Sequence, residues 1–191
     1  MNFLGHLYFS NDNLDLMVAN LFGDFIKGKK YLDYSDNIQK GVILHRKIDY
    51  YIDTHQEVKE LRLKLYSELP KVAGVAIDLY FDHLLAVHWN KYHRHSYMEF
   101  LNRFYSHHSS FEAELSPDFR LFLSVLRTRK WMDHYPTSYG LNRLCQGVSG
   151  RISFPNSLGK APIVLEKHKA EVSNVFYQYM EDAKREFALD S

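Results

Sequence analysis

Apolar residues recur at three- and four-residue steps along most of the chain, the spacing that builds one face of an α-helix. Leu14, Val18, Leu21, Phe22 and Phe25 follow this pattern between Asn13 and Ile26, with Asp12 or Asn13 available as N-cap and Gly28 as stop. The pattern predicts further helices at about Asp36–Asp53 and Glu57–Leu69, the latter ended by Pro70, which lacks an amide hydrogen and crowds the preceding turn. Val72–Trp89 is apolar almost all round and is predicted as a helix buried among others. Helices are also expected at Tyr97–Ser106, at Pro117–Trp131 with Pro117 near N1, at Thr137–Gln146, and from about Pro162 through Phe176, Tyr179, Met180 and Phe187. Gly147–Ala161 reads as a loop. Period-two alternation is short and isolated, so the fold class is all-α.

The 191 residues fit one domain, expected as a compact helical bundle over 1–191. Hydrophobic residues at 46% against 25% charged exclude disorder and leave enough apolar surface for a core. Cys145 is the lone cysteine, which excludes an internal disulfide and a Cys-rich zinc site and fits a reducing compartment; it reads as a small buried hydrophobe. MNFLGHLYFSNDN has no basic start and meets Asp12 too early for an export signal, and no apolar run approaches a membrane span, so a cytoplasmic protein without membrane contact is expected. A net charge of +1 provides no overall attraction to nucleic acid. Residues 119–169 nevertheless hold nine Lys or Arg against Asp133 and Glu166 alone. Such a stretch is either a basic face for an acidic or phosphorylated partner or a solvated surface neutralised by spatial neighbours.

The most informative segment is VAGVAIDLYFDHLLAVHW. Asp78 and Asp82 stand at i and i+4 on a helix otherwise built for burial, with His83 adjoining and His88 beyond. Burying two like charges is costly unless a cation compensates, and a divalent ion is the economical choice, with Arg or Lys partners as the alternative. His45 and Asp49 repeat the i, i+4 spacing in GVILHRKID, followed by Arg46, and Asp24 sits among aromatics in ANLFGDFIKG, one turn after Asn20. His6 is a core histidine by default, but lies near Asp24 if the first segment folds against the first long helix. A carboxylate-rich set with one or two imidazoles and no thiolate suits Mn²⁺ or Mg²⁺, with Fe²⁺ also compatible. An ion so held acidifies water and polarises a phosphoryl group, which makes phosphoester hydrolysis the leading reaction class. His88, His93 and His95, like His107 and His108, read as residues of solvated loops.

MNFLGHL, ANLFGDFIKG, GVILHRKID and IDLYFDHLLAVHW, in that order and spacing, resemble the acyl-carrier-protein phosphodiesterase family, also called ACP hydrolase. The resemblance covers nearly the whole chain, including LNRLCQGVSGRI. It implies an α-helical, noncanonical relative of the HD phosphohydrolases. It also implies a Mn²⁺-dependent hydrolysis that removes 4′-phosphopantetheine from holo acyl carrier protein. Carried over by position, it points to Asp24, His45, Asp49, Asp78, Asp82 and His83 as the metal and catalytic set, with His6, Asn20, Arg46, His88 and Trp89 supporting them. Two departures stand out: no His-Asp dipeptide occurs, Asp82-His83 running in reverse, and Ile43 stands where some relatives carry a further His.

Acyl carrier proteins are acidic, so this resemblance also implies that Arg127, Arg129, Lys130, Arg143 and Arg151 contribute docking contacts for the carrier and its phosphate. The competing expectations are an HD-like phosphohydrolase acting on a nucleotide or other small phosphodiester, and a non-catalytic module that binds an acidic partner.

Overall fold

The computed structural model describes residues 1–189, so residues 190 and 191 of the expected 1–191 domain lie outside it. The fold is all-α, with no strand among the described residues. Helix α1 (Phe3–Tyr8) is followed by α2 (Leu14–Phe22), where the Asn13 side chain accepts from the Leu16 amide and caps the start. The turn Gly23–Phe25 continues α2 in tighter 3₁₀ form, so Asp24 sits on this turn, beyond the α-helix in which it was predicted. Gly28 then takes φ +59°, a left-handed conformation that glycine adopts without strain.

Helix α3 (Asp36–Thr54) agrees with its predicted bounds, while α4 (Gln56–Leu65) ends before the Pro70 stop because residues 66–72 turn back toward the core. Helix α5 (Ala73–Val87) is the central element, burying Ile77, Leu79, Tyr80, Phe81, Asp82 and Leu85 and packing against α1, α4 and further helices below. A short α6 (Trp89–Tyr92) leads to α7 (Tyr97–Ser106), capped by Ser96, whose hydroxyl accepts from the Glu99 amide. Helix α8 (Pro117–Arg129) starts with Pro117 at its first turn under a Ser116 cap and stops at left-handed Lys130.

Helix α9 (Ser138–Ser149), capped by Thr137, extends through Gly147, so the expected loop is confined mainly to the segment after Gly150. The long final helix divides into α10 (Ala161–Lys167) and α11 (Lys169–Glu186). His168 breaks it: its backbone leaves the helical range and its Nε2 pairs with Glu68 at 2.7 Å, tying the junction to the turn that follows α4. The buried apolar residues form one cluster from Met1 to Ala183, and no helix of the described residues is long and apolar enough to cross a membrane.

Helices α2 and α3 are held unusually close. A Cβ at Gly41 would lie 2.3 Å from the Ala19 Cβ and 2.4 Å from the Ala19 carbonyl carbon, and one at Gly23 would meet the His45 ring at 2.4 Å. The two glycines therefore let α2 and its terminal turn lie directly on α3, which sets Asp24 beside His45.

Candidate metal centre and the adjoining basic cleft

Three elements meet at a buried histidine pair. His6 of α1 and His45 of α3 stack with ring centroids 4.2 Å apart and a 16° interplanar angle. Asp49, one turn after His45 on the same helix face, reaches both: its oxygens lie 3.3 Å from His6 Nε2 and 3.2 Å from His45 Nε2. Asp24 approaches His45 Nε2 from the α2 side at 3.3 Å. The ligand atoms of His6, His45 and Asp49 all lie within 4.8 Å of one another, and the three residues form a candidate metal site.

The hydrogen bonds around His6 determine which of its nitrogens faces the site. Asn20 donates its amide hydrogens to the His6 carbonyl at 2.9 Å and to Ser10 Oγ at 3.1 Å, so its Oδ1 is the acceptor for His6 Nδ1–H at 2.9 Å. The neutral ring then presents a lone pair at Nε2, opposite a carboxylate oxygen. Burial holds the His6 pKa below its ordinary value, assisted by the neighbouring His45 and the chain's α-ammonium. Two acceptors facing each other at this distance call for a cation between them.

In the metal-free chain His45 supplies that charge. Burial opposes its protonation, but Asp24 and Asp49 override it and raise its pKa to about 9. For Asp49, burial works upward and is outweighed by His45 and His6, which hold the carboxyl well below its usual range. The His45 ring, with Nδ1 buried and unpartnered, thus carries beside Asp24 and Asp49 the positive charge that a divalent ion would supply, and a donor set of two imidazoles and hard carboxylates accepts such an ion without a thiolate.

Asp78 and Asp82 are neutralised by a different cation from the one expected. The Met1 α-ammonium lies 3.1 Å from Asp78 Oδ1. Asp82 accepts from the amides of Asn2 at 3.2 Å, Leu4 at 2.8 Å and Gly5 at 3.0 Å, and so caps the start of α1. Burial lifts Asp82 to about 7 against the pull of the ammonium and the amides, and lifts Asp78 in the same way against the ammonium. Asp82 is thus committed to α1 and stands apart from the His6–His45–Asp49 group. His83 is also absent from that group, since its Nδ1 hydrogen-bonds the Tyr135 carbonyl at 2.7 Å and burial lowers its pKa. Asp78 stays close: it lines, with His6, Asp24 and Asp49, an acidic cavity of about 320 Å³.

The remaining expected residues separate in the same way. Arg46 donates to the Ile26 and Gly28 carbonyls and lies over the Tyr31 ring at 4.8 Å, which fastens the segment behind Asp24. His88 hydrogen-bonds the Tyr177 hydroxyl at 3.0 Å, and Trp89 donates to the His95 carbonyl at 2.9 Å within the core. His93, expected in a solvated loop, stacks on Trp89 and pairs with Asp12 at 3.0 Å; His95 pairs with Glu99, His107 with Asp15 and His108 with Glu112. Cys145 is buried, and burial pushes its thiol up to about 12, consistent with a packing role.

Of the five basic residues, Arg129, Arg143 and Arg151 line one cleft of about 480 Å³ with Phe3, Trp131 and Tyr139. Arg127 points elsewhere: its guanidinium donates to the His107 carbonyl and pairs with Glu112 at 2.8 Å. Lys130 lies over the Tyr105 ring. Arg127→Ala is therefore expected to lower stability by about 1–3 kcal/mol, because Glu112 and a carbonyl lose a charged donor, while leaving the KM for any acidic substrate unchanged. Thermal unfolding alongside steady-state kinetics checks this; a raised KM at unchanged stability would return Arg127 to the docking surface.

His6 is the functional residue that spacing alone did not identify, since the nearest sequence signal was only its proximity to Asp24 under an assumed packing. The fold is all-α among the described residues, and His6, His45 and Asp49 form a candidate site for a metal ion within it. A family model described as acyl carrier protein phosphodiesterase matches residues 1–183, and the chain belongs to that family. It is 26% identical over 180 residues to the acyl carrier protein phosphodiesterase of Enterobacter sp. (strain 638), covering 94% of this chain and 93% of the relative. The protein of that name from Yersinia pestis is 25% identical over 180 residues, with the same coverage. That of Photorhabdus laumondii is 26% identical over 185 residues, covering 94% and 91%. No solved structure matches the chain.

Proposed function

We propose that the protein hydrolyses the phosphodiester that joins 4′-phosphopantetheine to a serine of acyl carrier protein, with His6, His45 and Asp49 holding a divalent ion. The observation that carries this reading is His6 Nε2 and an Asp49 oxygen facing each other at 3.3 Å, in a cavity that adjoins an arginine-lined cleft. Mn²⁺, the ion the family resemblance implies, is compatible with mixed imidazole and carboxylate donors, and Mg²⁺ or Fe²⁺ are the substitutes to compare. When bound, such an ion would supply Lewis acidity and lower the pKa of a coordinated water.

The chain's own groups do the rest. Asp24, with 55% of its side chain exposed at the cavity mouth, receives the proton of the attacking water. Hydroxide adds to phosphorus as the bond to the serine oxygen breaks, and that oxygen takes up the proton that Asp24 received, leaving apo carrier and free 4′-phosphopantetheine. Asn20 orients His6 by fixing its Nδ1–H, and Arg46 secures the segment that follows Asp24. Asp78, paired with the α-ammonium, lines the cavity wall beside His6, Asp24 and Asp49 and fixes the start of the chain there. Asp82 contributes indirectly by anchoring the helix that carries His6.

Intact mass spectrometry of holo carrier, incubated with metal-stripped protein with and without added Mn²⁺, tests the reading. The expected result is metal-dependent loss of the phosphopantetheine mass. Bound metal without loss of that mass would instead favour a small phosphodiester as substrate, and absence of metal binding would favour the non-catalytic module.

Arg129, Arg143 and Arg151 on the cleft rim are proposed to steer the acidic carrier. Reversing the charge at Arg143 and Arg151 together is expected to raise KM for the carrier by roughly tenfold or more and to flatten its dependence on ionic strength. A double variant whose KM still tracks salt as the parent's does would rule out these contacts.

A further inference from the structure

The basic cleft has a floor as well as a rim, and docking an acidic protein surface accounts only for the rim. Arg129, Arg143 and Arg151 are exposed, whereas Phe3, Trp131 and Leu144 beneath them are partly buried and apolar. Its volume of about 480 Å³ lies within the range of about 300–1,000 Å³ that small-molecule sites occupy. Two features join it to the histidine–carboxylate cavity. Asn2 and Phe3 are consecutive, one lining each space, and Val148 of α9 lines both.

Helix α9 is also shaped for an occupant. Gly140, Arg143, Leu144, Gly147, Val148 and Arg151 line the cleft at three- and four-residue steps, one side of the helix and its C-terminal end. Glycine weakens a helix interior. A Cβ built at Gly147 meets open space, with no side chain or other helix within 4 Å, so a longer side chain there has room to project along the cleft.

We infer that this cleft receives the pantetheine arm of the substrate, an inference that rests on the phosphodiesterase reading for the identity of the arm. The arm is a slender chain carrying a geminal dimethyl group, two amides and a terminal thiol. Its methyl groups match Phe3, Trp131 and Leu144, and its amide carbonyls accept from the guanidinium groups of the rim. With the phosphate at His6, His45 and Asp49, the arm passes over Val148 into the cleft while the carrier stays outside on the arginines.

Free pantetheine, which lacks both phosphate and carrier, is the probe. Titrated into the metal-stripped full chain, it is expected to bind saturably, giving a heat of binding and a change in the emission of Trp131. Gly147→Leu projects a side chain into the cleft and favours the helix. It is expected to weaken pantetheine binding roughly tenfold or more and to raise KM for holo carrier comparably, with Mn²⁺ affinity and melting temperature retained. No saturable binding to the parent protein, or a Gly147→Leu variant that binds pantetheine as the parent does, would overturn the assignment. The two readings fail separately. Pantetheine binding without cleavage of holo carrier keeps the cleft and removes the reaction; cleavage that Gly147→Leu does not impair keeps the reaction and removes the cleft.

Discussion

Alanine at His45 is expected to lower kcat/KM on holo carrier by on the order of a thousandfold and to abolish tight Mn²⁺ binding, with helical content retained. His45 is the only member of the group that contacts Asp24 and Asp49 together, through one nitrogen. Removing the ring leaves Asp49 and His6 without the third donor, and in the metal-free protein it leaves two carboxylates without their compensating charge. Metal titration by calorimetry and single-turnover mass spectrometry read the two losses independently. Undiminished cleavage in His45→Ala would exclude this centre from the reaction.

The same residue sets a pH response in the metal-stripped protein. The His45 pKa is raised from 6.5 to about 9 in the fold, where its two carboxylate partners outweigh burial. The stabilisation it contributes is therefore complete below about pH 6.5 and is lost as pH rises through about 9. Denaturant unfolding of the metal-free protein across that window is expected to show stability falling with pH, and His45→Ala is expected to remove this part of the dependence.

Asp82→Ala is expected to be the most destabilising single substitution among the candidate site residues, at about 3–5 kcal/mol. With a melting temperature moving about 2–4 °C per kcal/mol in a chain of this size, this is a loss of roughly 6–20 °C. The fully buried carboxylate accepts from three amides of residues 2–5 and lies beside the α-ammonium, and alanine leaves those donors without a partner. Since α1 carries His6, metal affinity falls as a consequence. Asp82→Asn, which keeps one carbonyl acceptor for the amides, separates anchoring from metal ligation. It is expected to recover part of both stability and metal binding. Complete loss of metal at parental stability in Asp82→Asn would make Asp82 a ligand.

These two aspartates show where reading the sequence stopped. The physical cost of Asp78 and Asp82 on a buried helix was correctly legible, because helix periodicity and the penalty for desolvating charge are both local. The identity of the compensating cation was not. It is an ammonium and a row of helix amides about 77 to 80 residues away in the chain, and MNFLGHLY carries too few residues to announce a helix by periodicity. His6 reads from spacing as a core histidine for the same reason, since the packing of α1 against α2 brings it over His45.

The basic stretch repeats the lesson. Composition marked Arg127, Arg129, Lys130, Arg143 and Arg151 alike, but rotation about α8 turns Arg127 toward Glu112 and sends Arg129 to the cleft. The break at His168 was likewise hidden within a continuous helical pattern, because the contact that stabilises it comes from Glu68 on a distant turn.

By itself the sequence determined the all-α class, the start of α2 at its Asn13 cap and of α8 at Pro117, and the His45–Asp49 pair on one face of α3. All of these depend on interactions within about four residues, which a linear pattern records. Tertiary structure alone decided which side chains share a space. It brought His6 and Asp24 to His45 through the glycine-mediated approach of α2 to α3, gave Asp82 to the start of α1, and set the arginine cleft against the histidine centre across Val148. Each of these pairings depends on the packing of whole helices, and the spacing along any one helix carries no record of its neighbour.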